Sequence, residues 1–162
     1  MPIAHLICGA TGAGKTSYAT SLATHVRGVR FTLDEWIAAL FLPDRPNPPS
    51  LAWAVERTAR CEKQIWSLTS ELLARRVDVV LDFGFSRRSQ RDEARTRALQ
   101  SGADVKFHYL DVEPETRRER IAKRNSQNNG SYELTDAMFD WMESVFEVPT
   151  DDELIDAMII GD

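Results

Sequence analysis

A short glycine-rich segment near the amino terminus carries the residue types that bind phosphate. Its members are Gly9, Ala10, Thr11, Gly12, Ala13, Gly14, Lys15 and Thr16, and they fit the pattern G-x-x-x-x-G-K-[ST]. Glycines let successive backbone N–H groups converge on phosphate oxygens, and a helix predicted from Lys15 adds its positive N-terminal end. We expect Lys15 to reach the β- and γ-phosphates of a nucleotide, Thr16 to bind Mg²⁺, and Ser17 to join the site. The alternative is a glycine-rich turn that binds nothing.

Asp34 is the second candidate, because it follows a predicted strand in the segment TLDE. Parallel strands end at one rim of a sheet, so this carboxylate should lie on the same rim as the glycine-rich segment. There it could accept a proton from a substrate hydroxyl that attacks the γ-phosphate. The alternative is that Asp34 only caps a helix that begins at Glu35. The local sequence leaves both possibilities open.

Asp82 is the third candidate, and it closes the apolar run at residues 77–81. A buried strand that ends in a carboxylate is typical of the Walker-B position, which faces the metal of a nucleotide site. We therefore expect Asp82 to bind Mg²⁺ together with Thr16 and to lie beside the substrate. The alternative is an ordinary aspartate at the end of a strand.

Arginines cluster on two predicted helices. The first carries Arg87, Arg88, Arg91, Arg95 and Arg97, and the second carries Arg117, Arg118, Arg120 and Arg124. Phosphoryl transfer needs cations where negative charge collects, so we expect Arg120 and Arg124 to act on the transferring group from a helix that closes as a lid. Arg87 and Arg91 are candidates for holding an anionic acceptor. The alternative for each arginine is a solvated face paired with neighbouring glutamates.

The elements that must position these side chains alternate between strands and helices. Strands are predicted over residues 3–8, 30–33, 77–83, 105–112 and 156–160. Helices are predicted over residues 15–26, 36–41, 50–76, 86–102, 114–124 and 135–146, with Ser86 and Thr135 as caps. This alternation predicts an α/β fold with a parallel sheet, helices on both faces, and the chemistry at the carboxyl ends of the strands. The proline-rich segment 43–49 is predicted to be a loop.

Length and composition indicate what kind of protein this is. A chain of 162 residues with 43% hydrophobic residues suits one globular domain over residues 1–162, and no apolar run is long enough to span a bilayer. Residues 1–6 do not form a basic and apolar leader, and Cys8 and Cys61 fit buried thiols, so a cytoplasmic location is expected. The net charge of −5 disfavours long nucleic acid as a partner.

The motifs together resemble the AAA_33-type P-loop kinases, within the wider group of gluconate kinase, zeta toxin, chloramphenicol phosphotransferase and the polynucleotide kinase domain. The resemblance covers most of the chain and rests on GATGAGKT, TLDEW, VVLDFGFSRRSQRDE, HYLDVEPETRRERIAKRN and FEVPTDDE. It implies a P-loop NTPase fold like that of the nucleoside kinases, with five strands in the order 2-3-1-4-5 and a lid over about residues 114–131. It also implies that Asp34 is a general base, that Arg120 and Arg124 are lid arginines, and that Pro149 and Thr150 pass near adenine.

We therefore expect an ATP-dependent kinase that moves the γ-phosphate of Mg-ATP to a hydroxyl of a small-molecule acceptor. It should work as a monomer or homodimer without contact to a membrane. Two alternatives stay open, namely a nucleotide-binding switch or slow ATPase without an acceptor, and a zeta-toxin-like kinase that acts on a nucleotide-sugar. The fold does not choose among acceptors, because the group phosphorylates sugars, antibiotics, nucleotide-sugars and polynucleotide ends.

Overall fold

Strands and helices alternate along the chain in the computed structural model, which describes residues 1–48, 50–127 and 133–161. The strands are β1 (Ile3–Gly9), β2 (Val29–Thr32), β3 (Val79–Gly84), β4 (Asp104–Leu110) and β5 (Met158–Ile160). The helices are α1 (Lys15–Val26), α2 (Leu33–Phe41), α3 (Leu51–Ala74), α4 (Arg88–Gln100), α5 (Pro114–Ser126), α6 (Asp136–Val145) and α7 (Asp151–Leu154), and a 3₁₀ turn at Leu42–Asp44 follows α2.

The described strands form one parallel sheet in the order β2-β3-β1-β4-β5, which confirms the expected strand order. β1 lies in the centre, where Leu6 pairs with Leu81 of β3 on one side and with Phe107 of β4 on the other. On the outer side of β3, Thr32 of β2 pairs with Asp82. The carboxyl ends of β1, β2 and β3 therefore meet at one rim of the sheet.

Apolar layers cover both faces of the sheet. On one face, α3 and α4 pack against the strands through side chains such as Ile65 and Ala94. On the other face, α1 packs through Ala19 against Ile7 and Val80. The almost continuous apolar character of β1 and β3 follows from this arrangement, because a central parallel strand is buried on both sides.

Some element ends differ from the prediction. Leu33 begins α2 instead of closing the second strand. The predicted cap Ser86 is wrong, since Arg87 is the N-cap residue of α4 and its N–H donates to Gln90 Oε1 at 3.1 Å. The Ser86 carbonyl instead accepts a hydrogen bond from the Glu147 N–H at 2.8 Å, which links this turn to the C-terminal segment.

None of the helices in the described ranges combines the length and apolar character that crossing a bilayer requires.

A buried pair of histidines links α1 to the sheet. His5 Nδ1 lies 2.9 Å from His108 Nε2, and the Tyr18 hydroxyl lies 2.9 Å from His108 Nδ1. Burial lowers the pKa of His108 to about 4, and the neighbouring His5 and Lys106 lower it further. Burial also lowers the pKa of His5, although Asp78 opposes that shift. Both rings are therefore held in the neutral form by their surroundings.

We predict that the free energy of unfolding falls as the pH drops from about 6.5 towards 4. In this window the unfolded chain binds protons at His108 and the folded chain does not, so the loss reaches on the order of 3 kcal/mol. Urea unfolding at successive pH values measures the slope. His108→Gln should flatten the slope, and the exposed His25→Gln should leave it unchanged. An equal slope in wild type and His108→Gln would contradict the prediction.

Candidate active site

The glycine-rich segment, residues 9–16, forms a tight turn between β1 and α1. Gly12 and Gly14 have φ values of 83° and 92°, a region that side chains beyond glycine rarely adopt. A Cβ atom at Gly12 would lie 2.9 Å from the Arg117 carbonyl oxygen, so a side chain there would also collide with α5. The turn is closed by a 3.2 Å hydrogen bond from the Ala13 N–H to the Ala10 carbonyl. The segment thus has the backbone geometry of a phosphate-binding loop, and it is called the P-loop below.

Lys15, Thr16 and Asp82 come together where the P-loop enters α1. Lys15 Nζ donates to the Ala10 carbonyl at 3.0 Å, and Thr16 Oγ1 donates to Asp82 Oδ2 at 2.9 Å. Burial lowers the pKa of Lys15, and the charges of Asp82 and Asp34 oppose this. Burial raises the pKa of Asp82, and the hydrogen bond from Thr16 and the charge of Lys15 oppose that shift.

The pair of Thr16 and Asp82 fits a hard divalent cation. Its hydroxyl and carboxylate oxygens lie together at the end of β3. Across residues 1–48, 50–127 and 133–161, no group of three or more His, Cys, Asp or Glu side chains is arranged for a metal. Mg²⁺ fits this donor set, because it commonly takes only one or two protein oxygens and completes its shell with phosphate oxygens and water.

Asp34 lies in the first turn of α2, which begins at Leu33 with Thr32 as its N-cap residue. The alternative that Asp34 caps a helix from Glu35 is therefore wrong. Glu35 is held instead by Arg30, through two hydrogen bonds of 2.9 Å. The exposed Asp34 carboxylate lines two cavities, and its charge acts on both Lys15 and Asp82.

Two cavities adjoin at the P-loop. The larger, about 580 Å³, follows the P-loop and reaches Thr16, Ser17 and Asp82; we call it the P-loop cavity. The smaller, about 390 Å³, extends from Asp34 towards the start of α4; we call it the α4 cavity. The residues that line both are Thr11, Lys15, Asp34, Gly84 and Met142. A candidate phosphate-binding lysine, Lys15, and a candidate proton acceptor, Asp34, therefore lie at the boundary between the two cavities.

The arginines of α5 have different surroundings. Arg120 and Arg124 are exposed and line the P-loop cavity, and Arg120 Nη1 donates to the Ala13 carbonyl at 3.2 Å. Arg117 is buried, with two 2.6 Å hydrogen bonds to Glu143 and one of 3.2 Å to the Thr11 carbonyl. Arg117 thus stabilises the P-loop backbone at Thr11 and links it to α6. The expected lid, residues 114–131, includes 128–131, which lie outside the described residues.

Arg87 and Arg91 of the α4 region also differ in their surroundings. Arg87 lines the α4 cavity, whereas Arg91 is only 3% exposed. The Arg91 guanidinium donates to both carboxylate oxygens of Glu153, at 2.6 and 3.0 Å, and to the carbonyls of Phe85 and Glu147. These contacts occupy Arg91 and leave it no role in holding an acceptor, so this expectation is corrected. Arg91 instead positions the turn that carries Arg87.

Pro149 and Thr150, expected near adenine, do not line the P-loop cavity in the described part of the chain. Pro149 is buried, and Thr150 is the N-cap residue of α7. The Thr150 hydroxyl accepts a 2.8 Å hydrogen bond from Arg88 and donates to Asp152 at 2.6 Å. In this structure these contacts give Thr150 a role in holding the C-terminal segment against α4.

Helix α6 contributes site residues that the sequence analysis did not assign. Thr11 Oγ1 donates to Met142 Sδ at 3.2 Å, which brings α6 over the P-loop. Trp141, Val145 and Phe146 add an apolar wall to the α4 cavity. The signal was present as the apolar spacing of residues 138–146, but the same spacing is typical of a helix that packs into a core.

The comparison with family models decides the classification. A model of the AAA_33 family, described as an AAA domain, matches residues 5–149. This chain belongs to the AAA_33 family. No curated protein matches this AAA_33 chain at a significant level.

Solved structures, two of them of kinases, share the fold of this AAA_33 protein. The gluconokinase from Sinorhizobium meliloti is 17% identical with a TM-score of 0.62, and the match covers 99% of this chain and 82% of that one. The Mycobacterium tuberculosis APS kinase CysC, in complex with AMPPNP and APS, is 14% identical with a TM-score of 0.66 and coverages of 99% and 88%. Chaetomium thermophilum Kti12, in complex with ADP-AlF3, is 12% identical with a TM-score of 0.70 and coverages of 98% and 88%. At these identities the likeness shows the fold alone.

We predict that Arg91→Leu lowers the free energy of unfolding by about 3–5 kcal/mol, because it leaves the buried Glu153 carboxylate without its cation. Urea unfolding measures the change, and Arg95→Leu on the exposed side of α4 is the matched control. The double variant Arg91→Leu, Glu153→Leu should recover part of the loss, since a buried ion pair can be replaced by apolar side chains. A loss below about 1 kcal/mol in the single variant would show that the pair does not hold the turn.

Proposed function

We propose that this AAA_33 protein is an ATP-dependent kinase that transfers the γ-phosphate of Mg-ATP to a hydroxyl group of a small molecule. The observation that carries the proposal is the shared lining of the two cavities. Lys15 and Asp34 both border the P-loop cavity and the α4 cavity, as a donor phosphate and an acceptor hydroxyl require. The CysC structure contains AMPPNP and the Kti12 structure contains ADP-AlF3, which agrees with a nucleotide at the P-loop of this protein.

The P-loop cavity supplies the groups that a nucleotide needs. The P-loop amides and Lys15 would bind the phosphates, with Ser17, Arg120 and Arg124 on the same wall. Thr16 and Asp82 would hold Mg²⁺. The bound Mg²⁺ would neutralise negative charge on the phosphate oxygens.

The chemical step is a direct transfer. The acceptor oxygen forms a bond to the γ-phosphorus, while the bond from that phosphorus to the β–γ bridging oxygen breaks and its electron pair leaves with ADP. Asp34 accepts the proton of the acceptor hydroxyl. Lys15, Arg120 and Arg124 stabilise the negative charge that collects on the transferring group and on the departing ADP.

The α4 cavity favours a kinase over a nucleotide-binding switch or slow ATPase, because a switch needs no second binding space beside its phosphates. We propose that residues 1–162 form one kinase domain. The buried free thiols of Cys8 and Cys61 agree with a reducing compartment such as the cytoplasm.

We predict that Mg-ATP raises the free energy of unfolding by about 2.7 kcal/mol at a concentration near 100 times its Kd. For a chain of this length that corresponds to a rise in Tm of several degrees. Thermal unfolding with and without Mg-ATP measures it. Lys15→Ala should lose most of the rise, and Lys63→Ala, an exposed cation on α3, should keep it. A wild-type Tm that Mg-ATP does not change would contradict nucleotide binding.

We also predict that Asp34→Asn lowers phosphoryl transfer by about 10²- to 10⁴-fold, because the amide cannot accept the hydroxyl proton. Nucleotide affinity should change little, since the substitution leaves the P-loop intact. A screen of hydroxyl compounds for ADP release above the hydrolysis background measures transfer, and Glu35→Gln is the matched control one residue away. If wild type releases ADP only by hydrolysis and Asp34→Asn does the same, the switch or slow ATPase is correct.

A further inference from the structure

The α4 cavity is lined by two unlike kinds of residue. The polar ones are Asp34, Ser86, Arg87 and Gln90, and the apolar ones are Trp141, Met142, Val145 and Phe146. At about 390 Å³ it is in the size range of pockets for small molecules. This mixed lining suits a molecule that has both a polar or charged group and an apolar part.

Arg87 is the cation on the α4 side of the cavity. The neighbouring arginines already form ion pairs, Arg88 with Asp152 at 2.6 Å and Arg91 with Glu153. In the part of the chain that the structure describes, the Arg87 guanidinium donates to no acceptor. A guanidinium at the edge of a pocket suits a carboxylate or a phosphate group, because its planar donors match the two oxygens.

Trp141 supplies the apolar counterpart from α6. Its side chain is 63% exposed although it lines the cavity, and Phe146 lines the same cavity. An exposed indole can cover a ring or hydrocarbon face of a ligand and gain from its burial. Lys15 and Asp34 border the same cavity, so a ligand hydroxyl beside Asp34 would lie next to the proposed phosphate donor.

We propose that the acceptor is a small alcohol that carries both an acidic group and an apolar or ring-shaped body. This rests on the proposed kinase function and specifies its substrate class. Arg87 binds the carboxylate or phosphate of the acceptor, Trp141 covers the apolar body, and the hydroxyl lies at Asp34. The size of the α4 cavity and the acidic segment 133–162, which contains no Lys or Arg, favour a small anion over a nucleic acid strand.

The test uses matched pairs of neutral and acidic alcohols on the same skeleton. The probes are benzyl alcohol, para-hydroxymethyl benzoate and para-hydroxymethyl phenyl phosphate, together with a short oligonucleotide that has a 5′-hydroxyl. Ligand-detected NMR gives their Kd values, and ADP release in the presence of Mg-ATP gives the transfer rate. For wild type we expect the two acids to bind about ten- to a hundred-fold more tightly than benzyl alcohol.

Three variants test whether Arg87 causes the preference for acidic alcohols and whether Trp141 binds the ring. Arg87→Gln should remove the preference for acids, and Arg95→Gln should keep it, because it deletes the same charge from the same helix outside the cavity. Trp141→Ala should weaken the neutral and acidic rings alike. The Tm rise with Mg-ATP should remain in all three, which shows that each variant is folded and binds nucleotide.

The outcomes separate this inference from the kinase proposal. Equal binding of neutral and acidic alcohols, no binding of either acid, or a preference that survives in Arg87→Gln overturns the anionic acceptor and leaves the kinase proposal standing. A preference that needs Arg87, without ADP release for any probe, supports the anion site and counts against the kinase. Transfer to the oligonucleotide alone overturns the small-molecule acceptor.

Discussion

The parallel pairing of β1 between β3 and β4 is the constraint on which the site depends. It puts the carboxyl end of β1, and so the P-loop, directly beside Asp82 at the end of β3. β2 pairs with β3 on its other side, which brings the start of α2 and Asp34 to the same rim. The Thr16–Asp82 hydrogen bond then fixes the first turn of α1 to the sheet. Because the pairing of the strands brings the P-loop, Asp82 and Asp34 to one rim, no long loop is needed to place these groups together.

Two buried arginines hold the loops that surround this rim. Arg117 pairs with Glu143 and donates to the carbonyls of Thr11 and Val112, while Arg91 pairs with Glu153 and donates to those of Phe85 and Glu147. Each therefore joins a helix to loop backbone on either side of the P-loop. Arginine is commonly linked with phosphate recognition, but at these two positions it binds carbonyl and carboxylate oxygens of neighbouring segments. The Glu153 carboxylate is almost fully buried, and the Glu143 carboxylate is 29% exposed.

Local features of the site could be predicted from the sequence, and features that depend on tertiary packing could not. The P-loop follows from residue spacing alone, and Asp82 follows from an apolar run that ends in a carboxylate. The strand order rested on the resemblance, because alternation of elements does not fix which strand lies in the centre. Arg117 and Arg120 are three residues apart on one helix, yet Arg117 is buried by tertiary contacts with Glu143 of α6 and with the carbonyls of Thr11 and Val112. Tertiary contacts likewise decide that Arg91 is buried while Arg87 lines a cavity. The surroundings of Trp141 depend on where α6 lies.

Met142 belongs to the walls of both cavities and also touches Thr11 of the P-loop. Two ligands that contact the same flexible side chain do not bind independently, since each changes the rotamer population that the other meets. The resulting coupling free energy is the same whichever ligand arrives first. In the proposed kinase, this one thioether on α6 makes the affinity for the nucleotide depend on whether the acceptor is bound, and the affinity for the acceptor depend on whether the nucleotide is bound.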